Sequence, residues 1–149
     1  GAKNFECLVL QIAMQESSLR HCEDYSDDCF VCNDDNSLSN LYKWDNGNSI
    51  GAMQINTLVH KNVDVSSFNP SVRYAIEKIL IDGYNKYKQG KVFPPTGVEY
   101  KGWKAALRSY NGWGYGGNDE YVEEVLGEPN KRGISRKENI QILFPKLCG

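Results

Sequence analysis

At 149 residues with 40% hydrophobic content, the chain is long enough for one well-formed core and too short for two ordinary domains. Seventeen Lys and Arg against nineteen Asp and Glu leave a net charge of -2, which gives no strong attraction to nucleic acid or to an anionic membrane. No apolar run approaches the length needed to cross a bilayer, and Gly1-Ala2-Lys3-Asn4 has neither a signal core nor a cleavage pattern, so any signal or anchor is expected outside these residues.

The first predicted element is a helix from about Asn4 to Arg20. At about 100° per residue, Phe5, Leu8, Val9, Ile12, Ala13 and Leu19 form one apolar stripe. Cys7, Leu10 and Met14 cover much of the opposite side, so the helix is expected to be largely buried. Glu16 falls near the centre of the stripe. A carboxylate withdrawn from water holds its proton more tightly, and a protonated carboxyl can pass that proton to a leaving group. Glu16 is therefore a candidate catalytic acid, although the same position suits a Glu that reaches the rim of the core or pairs with Arg20 at i+4.

The stretch from His21 to Asn48 reads as a long loop. Of the five cysteines, Cys22, Cys29 and Cys32 fall within it, among Asp24, Asp27, Asp28, Asp34 and Asp35, while Cys7 and Cys148 lie far apart. A disulfide among the three would supply order that packing cannot, and would favour an oxidising compartment. A metal knuckle built from His21, Cys22, Cys29 and Cys32 lacks the second paired ligand group that makes zinc motifs specific, so neither metal nor cofactor is expected. The odd count leaves a free thiol or a bond to another chain. Asn33–Asn36 and Asp45–Asn48 favour turns, and Leu38, Leu41, Tyr42 and Trp44 are suited to a short helical turn packed on the core. The small residues of Ser49–Asn56 allow the backbone to approach another element or a ligand closely.

Asn69 and Pro70 predict the N-cap and first position of the next helix. Val72, Ala75, Ile76, Ile79, Leu80, Gly83 and Tyr87 form its core face, with Gly90 as its stop. Phe93–Gly97 reads as a rigid linker. Trp103, Ala106, Leu107 and Tyr110 mark a third helix, ended by the glycine-rich Asn111–Asn118, whose interleaved aromatics are suited to lining a groove. Asp119 is placed as the cap of a helix carrying Tyr121, Val122, Val125 and Leu126, and a last helix from about Ser135 carries Ile140, Ile142 and Leu143. His21 and His60 have no recognisable partner in the sequence. The pattern is mainly α, in one domain spanning residues 1–149 without internal repeats.

Three separated segments carry a more specific signal: Glu16-Ser17-Ser18-Leu19, Gly51-Ala52-Met53-Gln54-Ile55 and Ser109-Tyr110-Asn111-Gly112, in that order. Through them the chain resembles the lytic transglycosylases of the soluble, lysozyme-like type, glycoside hydrolase family 23. Tyr121-Val122-x-x-Val125 is similar to the family's terminal Tyr-Val motif, so the likeness runs from Cys7 to about Leu126. The chain departs from the pattern in its Cys-rich insertion over about residues 21–48, in Ser109 for the usual Ala and in Ala52 for a usual Leu.

The resemblance implies a lysozyme-like α-helical domain with a substrate groove and a Cys-rich loop after the catalytic helix. The implied partner is the glycan strand of peptidoglycan, cut at the β-1,4 bond between N-acetylmuramic acid and N-acetylglucosamine in an extracytoplasmic setting. Gly1-Ala2 then fits a cloning scar on a domain taken from a larger cell-envelope protein. Glu16 is implied to protonate the glycosidic oxygen while the substrate acetamido group stabilises the cationic sugar. As a carboxylate it would then take the proton of the muramyl C6 hydroxyl, which closes onto C1 and leaves a 1,6-anhydro end without water. Tyr110 is implied to lie near this acid, and Tyr121 to support it. Gln54 and Asn111 offer amides to acetamido and hydroxyl groups, Met53 shapes an apolar wall, and Ser17 and Ser49 sit near Glu16. Trp113 and Tyr115 are candidates for stacking on sugar faces. Two other readings stay open. In a goose-type lysozyme-like hydrolase, one of Asp24, Asp27, Asp28, Asp34, Asp35 or Asp45 would position water; a sugar-binding module would keep the fold without the chemistry.

Overall fold

A computed structural model describes residues 2–23 and 41–149 of the chain. Helix α1 spans Ala2–Ser17 and so stops short of the expected Arg20. The reason is local: Ser18 and Leu19 take φ angles of 57° and 65°, a left-handed turn that no α-helix continues. Leu19 still reaches the core through this turn. Ile12 and Ala13 are buried, and Phe5, Leu8, Val9, Leu10 and Met14 pack around them, so apolar contacts surround α1 as its sequence predicts.

After the undescribed segment, three two-residue strands form an antiparallel sheet in the order β1 (Lys43–Trp44), β2 (Ser49–Ile50), β3 (Ile55–Asn56). Asp45–Asn48 makes the β1–β2 turn, as its Asp, Asn and Gly residues require. Trp44 lies on β1, Tyr42 just before it and Leu41 in an isolated bridge to Cys22, so these three do not form the expected short helical turn; Leu38 lies outside the described residues. The second turn, Gly51–Gln54, joins β2 to β3 and holds the Gly-x-Met-Gln residues.

A continuous helical stretch follows as α2 (Phe68–Tyr74), a π-helical segment (Ala75–Ile81) and α3 (Asp82–Tyr87). Its N-cap is Ser67 instead of Asn69, which places Pro70 inside the first turn, where a missing N–H is harmless. Gly90, with φ 129°, ends this stretch as expected. The presumed linker Phe93–Gly97 is in fact the turn of a β-hairpin, β4 (Lys91–Phe93) with β5 (Val98–Tyr100). Helix α4 (Gly102–Asn111) then packs along α3. Gly83 permits that approach, because a Cβ there would stand 3.1 Å from the Ser109 side chain. Tyr84 stacks on Trp103 across the same contact, with centroids 4.2 Å apart.

Helix α5 (Tyr121–Leu126) is preceded by Glu120 at its N-cap, while Asn118 Oδ1 accepts from the Glu120 N–H, so Asp119 is not the cap. Helix α6 (Arg136–Leu143) starts where the sequence placed the last helix, and Ser135 caps it, its hydroxyl accepting from Glu138 N–H at 3.1 Å. A last turn, α7 (Pro145–Cys148), returns to α1. There Cys7 and Cys148 form a disulfide with Cα atoms 5.8 Å apart, a pairing the sequence did not suggest. Cys22 is also disulfide-bonded, whereas Cys29 and Cys32 lie outside the described residues. The fold is thus helix-rich but mixed: α1 sits among α5, α6 and α7, α4 packs between α3 and α5, and Ser17 at the end of α1 bonds to the turn between β2 and β3.

Candidate active site

Glu16 occupies the last turn of α1, next to the point where the chain reverses at Ser18. The Tyr121 hydroxyl, delivered by the first turn of α5, donates to Glu16 Oε2 at 2.5 Å. Burial pushes the Glu16 carboxyl up from 4.5 to about 7, and the Tyr121 hydrogen bond pulls the other way. The group is therefore substantially protonated near neutrality. It borders a cleft of about 300 Å³, also lined by Ser17, Tyr42, Trp44, Ser49 and Gln54. Among the described lining residues Glu16 is the one acid. Asp45, exposed on the β1–β2 turn, is not among the lining residues, and the acids from Asp24 to Asp35 lie outside the described residues.

The Gly51–Gln54 turn contributes Gln54 to this lining, and three side chains fix the turn. Ser17 Oγ lies 3.0 Å from Ala13 O and 2.8 Å from Ala52 O, bridging α1 to the turn. The Tyr110 hydroxyl donates to Met53 O at 2.6 Å, tying in α4. His21, buried and packed edge-on against Phe68, accepts from Ala52 N–H at its Nδ1 (3.2 Å) and has Nε2 3.3 Å from Ser66 O. That pattern matches a neutral imidazole with its proton on Nε2, and burial lowers its pKa against the opposing pull of the Ser66 carbonyl. Both ring nitrogens are engaged by backbone groups, so His21 acts as a structural tie. Gly51 is required beneath it. With φ 80°, any Cβ would stand 2.8 Å from the His21 ring.

The structure thus brings Glu16, Ser17, Ser49, Gln54, Tyr110 and Tyr121 together, with roles partly exchanged. The phenol bonded to Glu16 is that of Tyr121, whereas the Tyr110 hydroxyl goes to Met53 O. Burial holds both phenols well above the ordinary tyrosine value, with the nearby Glu16 adding to the effect, so both stay protonated donors. Met53 is buried under the turn. Gln54 Nε2 donates to Gly51 O at 2.8 Å and Tyr42 O at 3.3 Å, stabilising the turn where its own φ is 50°.

Asn111, Trp113 and Tyr115 lie apart from the cleft lining. Asn111 Oδ1 accepts from Asn118 N–H at 3.1 Å and from Arg108 Nη2, organising the glycine-rich loop. Trp113 packs edge-on against Tyr87 at 5.1 Å, with Lys91 Nζ 4.8 Å from its ring. Tyr115 is 80% exposed beside a separate depression near Asn118 and Arg132.

Several functional supports escaped the sequence reading. Buried Arg108 donates from Nε to Gly112 O at 3.1 Å and from Nη1 to Asn118 O at 2.9 Å, with its guanidinium over Phe93. Its place in the last turn of α4, near the carbonyls a helix end leaves open, was the available signal. Glu124 is buried, and burial alone would raise its pKa. Hydrogen bonds from Arg132, Gln15 and Asn118 outweigh that and leave it lowered. Gln15 in turn accepts from Arg136 Nε at 2.7 Å, so α5 and α6 both brace the residue beside Glu16. Tyr42 and Trp44 were missed as cleft residues because they read as core.

A carboxyl that is protonated near pH 7, oriented by a phenol and open to a cleft can donate a proton to a bound ligand and then, as a carboxylate, accept one. The chain matches no protein-family model, and no curated protein or solved structure is significantly similar to it.

Proposed function

We propose that the chain is a peptidoglycan lytic transglycosylase with a lysozyme-like domain, acting through Glu16 alone as acid and then base. The observation that carries this reading is the Glu16 carboxyl itself, raised to about 7 and held by Tyr121 in a cleft with no second acid among its described lining residues. Protonated Glu16 gives its proton to the glycosidic oxygen as the C1–O bond of N-acetylmuramic acid breaks. The acetamido group of the same sugar stabilises C1. The C6 hydroxyl then bonds to C1, its proton returns to Glu16, and a 1,6-anhydro end is left with no water consumed. The ordered motifs support the same assignment: Ser17 and the Gly51–Gln54 turn bound the acid, and Tyr110 locks that turn. Disulfides at Cys7–Cys148 and at Cys22 fit an extracytoplasmic setting.

Digestion of purified peptidoglycan followed by mass spectrometry tests the reaction. Anhydro-muramyl ends are expected, and Glu16→Gln is expected to abolish them while the circular dichroism spectrum stays native. Reducing ends, heavier by one water, would instead establish hydrolysis.

A further inference from the structure

Trp44 is 64% exposed, although an indole is among the larger apolar surfaces a chain can leave in water. It lies at the end of β1 and lines the Glu16 cleft together with Tyr42, the residue just before that strand. Its ring is held. The indole N–H donates to the Tyr42 hydroxyl, the Tyr42 ring faces the Arg20 guanidinium at 5.3 Å, and the Trp44 backbone pairs with Ser49. With its one polar atom engaged by Tyr42, the indole keeps a flat apolar face in the cleft.

The rest of the lining determines what that face suits. Ser17, Ser18, Ser49, Gln15 and Gln54 contribute hydroxyls and amides, and Glu16 is neutral or singly charged near pH 7. No Lys or Arg is among the described lining residues, and the nearby Arg20 guanidinium stands over the Tyr42 ring, so the described lining suits a phosphate or other dense anion poorly. A wholly apolar ligand would strand the polar groups on the opposite wall. A pyranose ring satisfies both sides, because one face presents C–H groups to an aromatic plate while hydroxyl and acetamido groups project from its rim. The cleft, at about 300 Å³, is at the small end of ligand pockets and suits one ring of a longer chain.

We propose that Trp44 is the stacking platform of a sugar subsite beside Glu16, binding the face of an N-acetylhexosamine ring, with Tyr42 fixing the angle of the indole. This inference rests on the transglycosylase reading for its substrate class. It assigns to Trp44 the part that the sequence suggested for Trp113 and Tyr115.

Calorimetric titration of the N-acetylglucosamine tetramer into Glu16→Gln protein tests the subsite without turnover. Adding Trp44→Ala is expected to weaken binding about tenfold or more, Trp44→Phe to retain most of it, and Tyr42→Phe to give a smaller loss. In the active background, Trp44→Ala is expected to raise KM for soluble glycan strands far more than it lowers kcat. Equal affinity with and without the indole would overturn the platform, as would failure of Glu16→Gln protein to bind the tetramer while the wild type produces anhydro ends. Tetramer binding that depends on Trp44, in a protein that cleaves no peptidoglycan, would uphold the subsite and remove the transglycosylase reading.

Discussion

At the scale of single residues, two opposing effects set the proton affinity of Glu16. Burial raises its pKa and Tyr121 lowers it, and burial prevails at about 7. Because the folded value lies above the ordinary 4.5, folding takes up a proton between roughly pH 4.5 and 7, and stability falls as pH rises through that window. Glu16→Gln is therefore expected to stabilise the fold by about 1–3 kcal/mol at pH 8, allowing for screening by water in the cleft, with little gain at pH 4. Thermal unfolding at the two pH values measures this, and an equal effect at both would count against a raised pKa. Tyr121→Phe removes the hydrogen bond that favours the charged form. The alkaline limb of the pH–rate profile should move to higher pH while turnover falls, and an unmoved limb would show that Tyr121 does not set the acid. Glu16 was legible because a carboxylate in an apolar stripe breaks the helical pattern. The partner phenol was not, since Tyr110 and Tyr121 both sit near the acid and only the fold decides which hydroxyl reaches it.

At the scale of elements, the cleft depends on the Gly51–Gln54 turn and the neutral His21 that caps it. Protonation would place a hydrogen on Nδ1 facing the Ala52 N–H, which destroys that bond. The folded pKa of His21 lies below 6.5, so its contribution is fully present above pH 6.5 and is lost as pH falls through the folded value. In the Glu16→Gln background, where the opposing effect of Glu16 is gone, stability should decline as pH falls below 6.5. Adding His21→Gln should lower stability at pH 7 and flatten this decline; equal slopes in denaturant titrations of the two variants would rule out His21 as its source. Helices with several apolar repeats were readable, as α1, α4 and α6 illustrate. Strands of two or three residues carry too little alternation to be recognised, which is why Phe93–Gly97 read as a linker and Trp44 as core.

At the scale of the molecule, the Cys7–Cys148 bond closes a loop with a sequence separation of 141 and holds α7 against the helix that carries Glu16. Replacing both cysteines by serine is expected to cost about 3–5 kcal/mol in guanidinium unfolding, because the unfolded chain regains its freedom. A loss below about 1 kcal/mol would mean that packing of α1 against α5 and α6 suffices. Pairing at this range leaves no local trace in a sequence; the clustered Cys22, Cys29 and Cys32 attracted attention, while the two outlying cysteines were joined only by the fold. The helix-rich character was legible from periodicity, whereas the two small sheets, which make the fold mixed, were not.

The same bond governs how the protein bears mechanical load. Tension applied at the two chain ends passes directly from Cys7 to Cys148, bypassing the helices and hairpins between them. The Glu16 cleft can thus keep its shape while anything attached at either end pulls against it.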